Sequence, residues 1–297
     1  MAILESNQLP LSARDGQWRR RWDSARRFAG TTPVALSVAV LALIVLAALL
    51  APWLHTTDPM QLDPAERLSD FSADHWFGTD ALGRDLYSRV VYGARISLVV
   101  GVGVSLASVA CGLLIGVVAG YFRTADAIIM RMMDGLMAIP GILLAIALVS
   151  LSGASLMTVL VAIAVPEVPR VVRLVRSIIL ATRHESYVEA ALTLGTRTPK
   201  LLWRHVIPNT VAPLVVQGTY ICASAMLTEA VLSFLGVGIS PEIPSWGNIM
   251  AEGRMYFQLF PSLILCPGVF LSMVVLAVNV LGDAMRDHLD PKMAERL

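Results

Sequence analysis

Charge is what this chain has least of. Asp, Glu, Lys and Arg make up 15% of its 297 residues, where a soluble domain of this length carries roughly 25%. Lysine is reduced to Lys200 and Lys292, and neither follows a glycine. A phosphate-binding loop requires Gly-Lys-Ser/Thr, so that backbone amides and the lysine hold the phosphates; without it, nucleotide hydrolysis of that kind belongs to another polypeptide. The three cysteines, Cys111, Cys222 and Cys266, each lie in an apolar run with no CxxC or Cys/His spacing. That excludes a disulfide framework and structural zinc and leaves small buried hydrophobes. The five histidines, His55, His75, His184, His205 and His288, make no HxxxH or HExxH spacing, and there is no GxSxG, so metal-dependent and serine hydrolases lose their usual signatures. A net charge of +1 gives no pull toward nucleic acid or an acidic substrate. No catalytic, cofactor-binding or metal-ligating set is predicted, and the chain is not expected to be an enzyme.

What fills the space is apolar: 56% of the residues are hydrophobic. A helix needs about 20 apolar residues to cross a bilayer core, and six stretches qualify. They are Pro33 to Pro52, Ser97 to Gly120, Ala127 to Leu151, Ser155 to Val168, Val211 to Leu232 and Pro261 to Leu281. The fourth is the weakest, ending in Pro166, Glu167 and Pro169. The second carries Gly112, Gly116 and Gly120 at a spacing of four, a small-residue face that admits a close helix neighbour. The first apolar run follows a 32-residue basic tail and is longer than a signal-peptide core of about 7–15 residues, so it reads as a retained anchor. The fold expected is all-α and polytopic: a tail at 1–32, a first span at 33–53, an external loop at 54–95, a core of five spans at 96–285, and a tail at 286–297.

Lys and Arg stay on the cytoplasmic side. With the N-terminus inside, 18 of the 23 basic residues fall there. They are Arg14, Arg19, Arg20, Arg21, Arg26 and Arg27; Arg123 and Arg131; seven between Arg170 and Arg204; and Arg286, Lys292 and Arg296. Both termini are therefore expected in the cytoplasm of a plasma (inner) membrane protein. The external segment from Leu54 to Arg95 holds seven acidic residues between Asp58 and Asp85.

The segment from Arg170 to Asn209 is cytoplasmic, basic and punctuated for helices. Ser186 followed by Glu189 fits a capping box, Tyr187 to Leu194 a short helix, Gly195 its C′ residue, and Thr198-Pro199 an N-cap and first turn. The second helix then runs through Leu201, Leu202 and Trp203 to Pro208. Two uses fit a helical hairpin at 186–208: a docking element for a cytoplasmic partner, or a connector lying on the membrane surface.

Glu189-Ala190-Ala191, Gly195 and the hydrophobic-Pro pair ending at Pro208 resemble the EAA loop of binding-protein-dependent ABC importers. His205 stands where that family has isoleucine, and Ile207 where it has leucine. Further segments resemble the C-type permeases of dipeptide, oligopeptide and nickel importers. They are Gly78-Thr79-Asp80, Gly83-Arg84-Asp85, Ser88-Arg89 and Arg95-Ile96-Ser97-Leu98; Asp126 through Pro140; Glu229 through Gly238; Pro244-Ser245-Trp246-Gly247; and Leu281-Gly282-Asp283 with Leu289-Asp290-Pro291. The resemblance covers about residues 75 to 292. It implies a type I ABC importer permease with six transmembrane helices, carrying peptides or a related small solute. It also implies a second homologous permease as heterodimer partner, two ABC ATPase subunits that hold ATP and Mg, and an extracytoplasmic substrate-binding protein. Membrane lipid is the remaining partner; no nucleic acid is expected. On the same grounds the ATPase-coupling residues are Glu189, Ala190, Ala191, Gly195, Leu201, Leu202, Trp203, Arg204 and Pro208.

Charges near the membrane carry the remaining expectations, because each is costly against lipid. Glu229 faces a central cavity or latches an outer gate, or else caps the chain near Ser233 and pairs with an external arginine. Glu167 pairs locally with Arg170 or Arg173. Arg170, Arg173 and Arg176 share a face that anchors to lipid or lines an inner gate. Arg131 and Asp134 suit an (i, i+3) pair. Pro140 should kink its span; Pro140, Glu229 and Arg173 are the candidate path or gate residues. Leu151-Ser152-Gly153-Ala154-Ser155 resembles an ABC signature sequence but reads as a turn. The rival function is an ion-gradient-driven secondary transporter or channel, which predicts mid-bilayer ionisable residues and inverted repeats; neither is evident. An integral membrane enzyme would need clustered His, Asp or Ser.

Overall fold

A computed structural model describes residues 32–289. The expectations on residues 1–31 and 290–297, including the arginines of the N-terminal tail, Lys292, Arg296 and Asp290-Pro291, lie outside the described residues. Within them the chain is helical, with a single isolated bridge between Thr79 and Asp85 in place of any strand. The helices are α1 (Thr32–Leu49), α2 (Leu86–Tyr121), α3 (Arg123–Met137), α4 (Gly141–Ser152), α5 (Leu156–Thr182), α6 (Ser186–Thr193), α7 (Thr198–Leu201), α8 (Pro208–Phe234), α9 (Trp246–Gly253) and α10 (Ser262–Leu289).

Four helices, α1, α2, α8 and α10, are long and apolar enough to cross a membrane unbroken. Their outer faces carry Leu43, Leu106, Leu114 and Leu276, each about two-thirds exposed. A soluble protein would bury such a surface; lipid accepts it. Inside, one apolar core joins α2, α4, α5 and α8 around Val100, Val104, Val159 and Ile221. A second joins α1, α2, α8, α9 and α10 around Leu86, Met226, Trp246 and Val274.

Three expected spans come out differently. The second helix starts at Leu86, not near Ser97. Asp85 caps it by accepting from the Ser88 N–H at 2.7 Å, so Arg89 and Arg95 sit on a helix and not in a loop. At 36 residues it is about 54 Å long, well beyond a hydrocarbon core of about 30 Å. Its first turns are instead packed into the segment that follows α1.

The third span is not one kinked helix. α3 and α4 meet at an 86° bend, with Pro140 as the residue before α4. Proline has no N–H to continue the ladder and disfavours helical geometry in the residue before it.

The fourth span does not stop at Pro166. α5 runs unbroken through Pro166 and Pro169 to Thr182. Membrane helices tolerate proline where neighbours hold them, and the neighbour here is α2. A Cβ on Gly112, Gly116 or Gly120 would lie 2.4 Å, 2.7 Å and 2.8 Å from the Cβ atoms of Val171, Val175 and Ile179. Because α5 carries Arg170, Arg173 and Arg176 in its second half, only its first half reads as apolar. At the far end, α10 continues to Leu289, into what reads as tail.

Candidate functional site: the broken span and the hairpin

The hairpin forms from local signals, one residue out of the expected register. α6 is capped by Glu185, with no side-chain cap hydrogen bond. Ser186 is therefore the first helical residue, and the Ser186/Glu189 capping box does not form. Likewise Arg197, not Thr198, precedes α7. The glycine turn is where it should be: Gly195 has φ of +77°, its N–H donates to Leu192 O at 2.9 Å, and the Thr196 N–H donates to Ala191 O at 3.1 Å. That pair of bonds is the Schellman closure, which a left-handed glycine makes inexpensive. The second helix does not end at Pro208. After Leu201 it widens into a π-turn over Leu202–Val206, with the Ile207 N–H donating to Leu202 O at 2.8 Å, and Pro208 opens α8. Proline is well placed in a first helical turn, where its missing N–H leaves no bond unmade.

Of the expected coupling residues, Ala191 and Leu201 point inward. With Val188 they form a small core packed against Tyr121 at the end of α2, so they hold the hairpin to the bundle and do not belong to its outer surface. Glu189, Ala190, Gly195, Trp203, Arg204 and Pro208 are exposed and Leu202 half-buried. Trp203 is 76% and Leu194 86% exposed, large apolar side chains left open to solution. Asn209 fixes the hairpin to α8, donating from Nδ2 to His205 O at 2.7 Å and to the Tyr187 hydroxyl at 3.1 Å.

The bend at Pro140 opens a cavity of about 370 Å³ against α5 and α8. Its walls include Met137, Pro140, Pro166, Glu167, Ser224 and Thr228, a mixed apolar and polar lining. Arg170 also borders it and pairs with Glu167 at 2.9 Å, as the sequence predicted. Asp134 does not pair with Arg131. It accepts from Arg173 across to α5 at 2.7 Å, and Asp126 takes both Arg176 Nε and Nη2. Thus α3 is clamped to α5 by two ion pairs, and the three α5 arginines are engaged by carboxylates.

Glu229 is 1% exposed and has no arginine. Its Oε1 accepts from the hydroxyls of Ser233 at 2.9 Å and Ser245 at 2.8 Å. It therefore ties the end of α8 to the start of α9, turned away from the cavity that its neighbour Thr228 lines.

On the side away from the hairpin stands a cluster that sequence reasoning missed. Arg89, 1% exposed, donates to Asp80 and to Glu252 Oε2 at 2.6 Å, and Arg84 donates to the same two carboxylates. Two buried arginines against two carboxylates are neutral overall, which buried charge requires. The signal was available in the Asp80–Arg84 spacing of four and in the scarcity of charge elsewhere. The partner across the chain, Glu252, had none.

A family model for "Binding-protein-dependent transport system inner membrane component" matches residues 112–295. The chain is 52% identical, over 97% of its length and 99% of the relative's, to "Probable peptide ABC transporter permease protein y4tQ" of Sinorhizobium fredii. It is 41% identical to the dipeptide transport system permease protein DppC of Alkalihalophilus pseudofirmus, over 86% of this chain and 84% of that one. It is 39% identical to the glutathione transport system permease protein GsiD of Pectobacterium atrosepticum, over 93% and 91%. Among solved structures, inward-facing MetNI methionine ABC transporter resembles it with a TM-score of 0.58 at 18% identity, covering 69% of this chain and 98% of that one. The likeness is one of fold.

Proposed function

The chain belongs to the family of binding-protein-dependent transport system inner membrane components and is a multi-pass permease subunit of an ABC importer; from this we propose that it forms half of a path for peptides, driven by ATP hydrolysed on partner subunits. Family membership implies ATPase and substrate-binding-protein partners in general. The finer assembly proposed is a heterodimer with a second homologous permease, seated on two ATPases that hold ATP and Mg, with both termini of this chain in the cytoplasm. Peptide cargo is favoured by the names of the relatives, which include peptide, dipeptide and glutathione systems.

One observation carries the coupling role: the hairpin is braced inward by Val188, Ala191 and Leu201 while presenting Glu189, Leu194, Trp203 and Arg204 outward. A braced element transmits a push, and an exposed Trp next to charge suits a protein groove. ATP-driven closure of the ATPases would move this hairpin, and with it α2 and α8, as a body. The cavity at Pro140, open to one side, is proposed as this chain's share of the path, with Arg173 holding α3 in place beside it.

The test is Glu189→Lys with Trp203→Ala in the assembled importer. Both sites are exposed, so insertion and heat stability should match wild type, while uptake falls at least tenfold and ATP hydrolysis no longer responds to loaded binding protein. Normal uptake in that variant would remove the coupling assignment.

A further inference from the structure

A second cleft opens on the hairpin side of the bundle, of about 280 Å³, where α2 ends and α3 begins. Ala119, Gly120 and Leu180 form part of its wall, and two arginines, Arg123 and Arg183, line it together with His184. None of the three side chains has a hydrogen-bonding or ion-pair partner among the described residues, in contrast to those of Arg170, Arg173 and Arg176, each of which meets a carboxylate. The one carboxylate in the cleft, Asp126, is occupied by Arg176. The first turn of α3, a 15-residue helix, also borders the cleft and has no side-chain cap, which adds the positive end of a helix dipole.

Depth points to the ligand. The apolar α2 ends at Tyr121, whose ring packs edge-on against Phe122 at 5.2 Å, and Phe122 is half exposed. Paired aromatics at the end of an apolar run mark the headgroup level. A basic pocket between helices at that level fits an anionic headgroup. We propose that this cleft is a phosphate site, filled by the headgroup of an anionic phospholipid held by Arg123 and Arg183 with His184 at its edge. Tyr121 packs against the hairpin core, so a bound headgroup also braces the foot of the hairpin. The proposal concerns lipid retention by this chain and stands apart from the transport reading.

Native mass spectrometry of the purified full chain tests it, with phosphatidylglycerol, phosphatidylcholine or inorganic phosphate supplied separately. Wild type should keep one phosphatidylglycerol under activation that strips phosphatidylcholine. Arg123→Gln with Arg183→Gln should lower that retained fraction at least tenfold, the scale of losing charge-assisted hydrogen bonds. His184→Gln, an exposed single change that leaves the fold intact, should lower it about threefold. Arg131→Gln, the loss of one arginine elsewhere on α3, should leave it unchanged. Equal retention in wild type and the double variant overturns the site, as does equal loss from Arg131→Gln. Retention of inorganic phosphate without the lipid overturns the lipid assignment.

Discussion

Glu229 and Ser245 meet through a single hydroxyl that serves two helices. Ser245 Oγ donates to the Glu229 carboxylate at 2.8 Å and accepts from the Asn248 N–H at 3.1 Å, so one side chain both caps α9 and anchors it to α8. Glu229 is enclosed, and its removal would leave two serine donors without an acceptor. Glu229→Ala should therefore cost about 2–4 kcal/mol, and Glu229→Gln, which keeps an acceptor oxygen, about half of that. Ser245→Ala removes cap and link together and should fall between them. Heat denaturation in detergent measures all three; an unchanged midpoint in Glu229→Ala would show that the link carries no stability.

The glycine stripe of α2 gives a steric prediction with an internal control. Valine at position 116 would place its Cβ 2.7 Å from Val175 Cβ and 3.1 Å from Val172 O, closer than packed atoms come, and the obstacle includes backbone. Gly116→Val should push α5 away and cost several kcal/mol, beyond the ~1–3 kcal/mol of ordinary overpacking. Gly135 on α3 has nothing within 4 Å of an added Cβ, so Gly135→Ala should be neutral or gain about 0.5–1 kcal/mol from helix propensity. Comparable losses from both would mean that helix contact at the stripe is not what the glycines provide.

That stripe also marks where sequence reasoning stopped working. Local signals were legible: apolar length placed α1, α8 and the start of α10 within a few residues, and Gly195 marked the hairpin turn. Prolines were over-read. Pro166 and Pro169 end a helix judged alone, yet α5 continues because its valines and Ile179 lie against α2's glycines, more than 50 residues earlier in the chain. Ion pairs failed for the same reason. Arg131 was the near neighbour of Asp134, but Arg173, 39 residues away, reaches it. Arg89 and Glu252 are separated by 163 positions, a pairing that only the packed bundle brings about. At the hairpin, caps moved by one residue: Glu185 and Arg197 precede the two helices, and neither start is closed by a side-chain hydrogen bond.

His75 gives the segment between α1 and α2 a dependence on pH. Its Nδ1 lies 2.9 Å from Asp85 and its Nε2 2.9 Å from Glu66, so both ring nitrogens face carboxylates and the doubly protonated ring satisfies both. The hydrogen bond to Asp85 raises the His75 pKa above its ordinary value; the charges of Asp85 and Glu66 add to this, and partial burial opposes it. A raised folded-state pKa contributes stability that is complete below the unfolded value, about 6.5, and fades as pH rises through the folded value. Asp85 also caps α2, so losing the imidazolium loosens the start of the longest helix. Heat denaturation of wild type and His75→Gln between about pH 5.5 and 8.5 should show wild type ahead at the acid end and the gap closing toward the alkaline end. A gap that stays constant across that range would mean the ring is held neutral and that packing, not charge, is what His75 supplies.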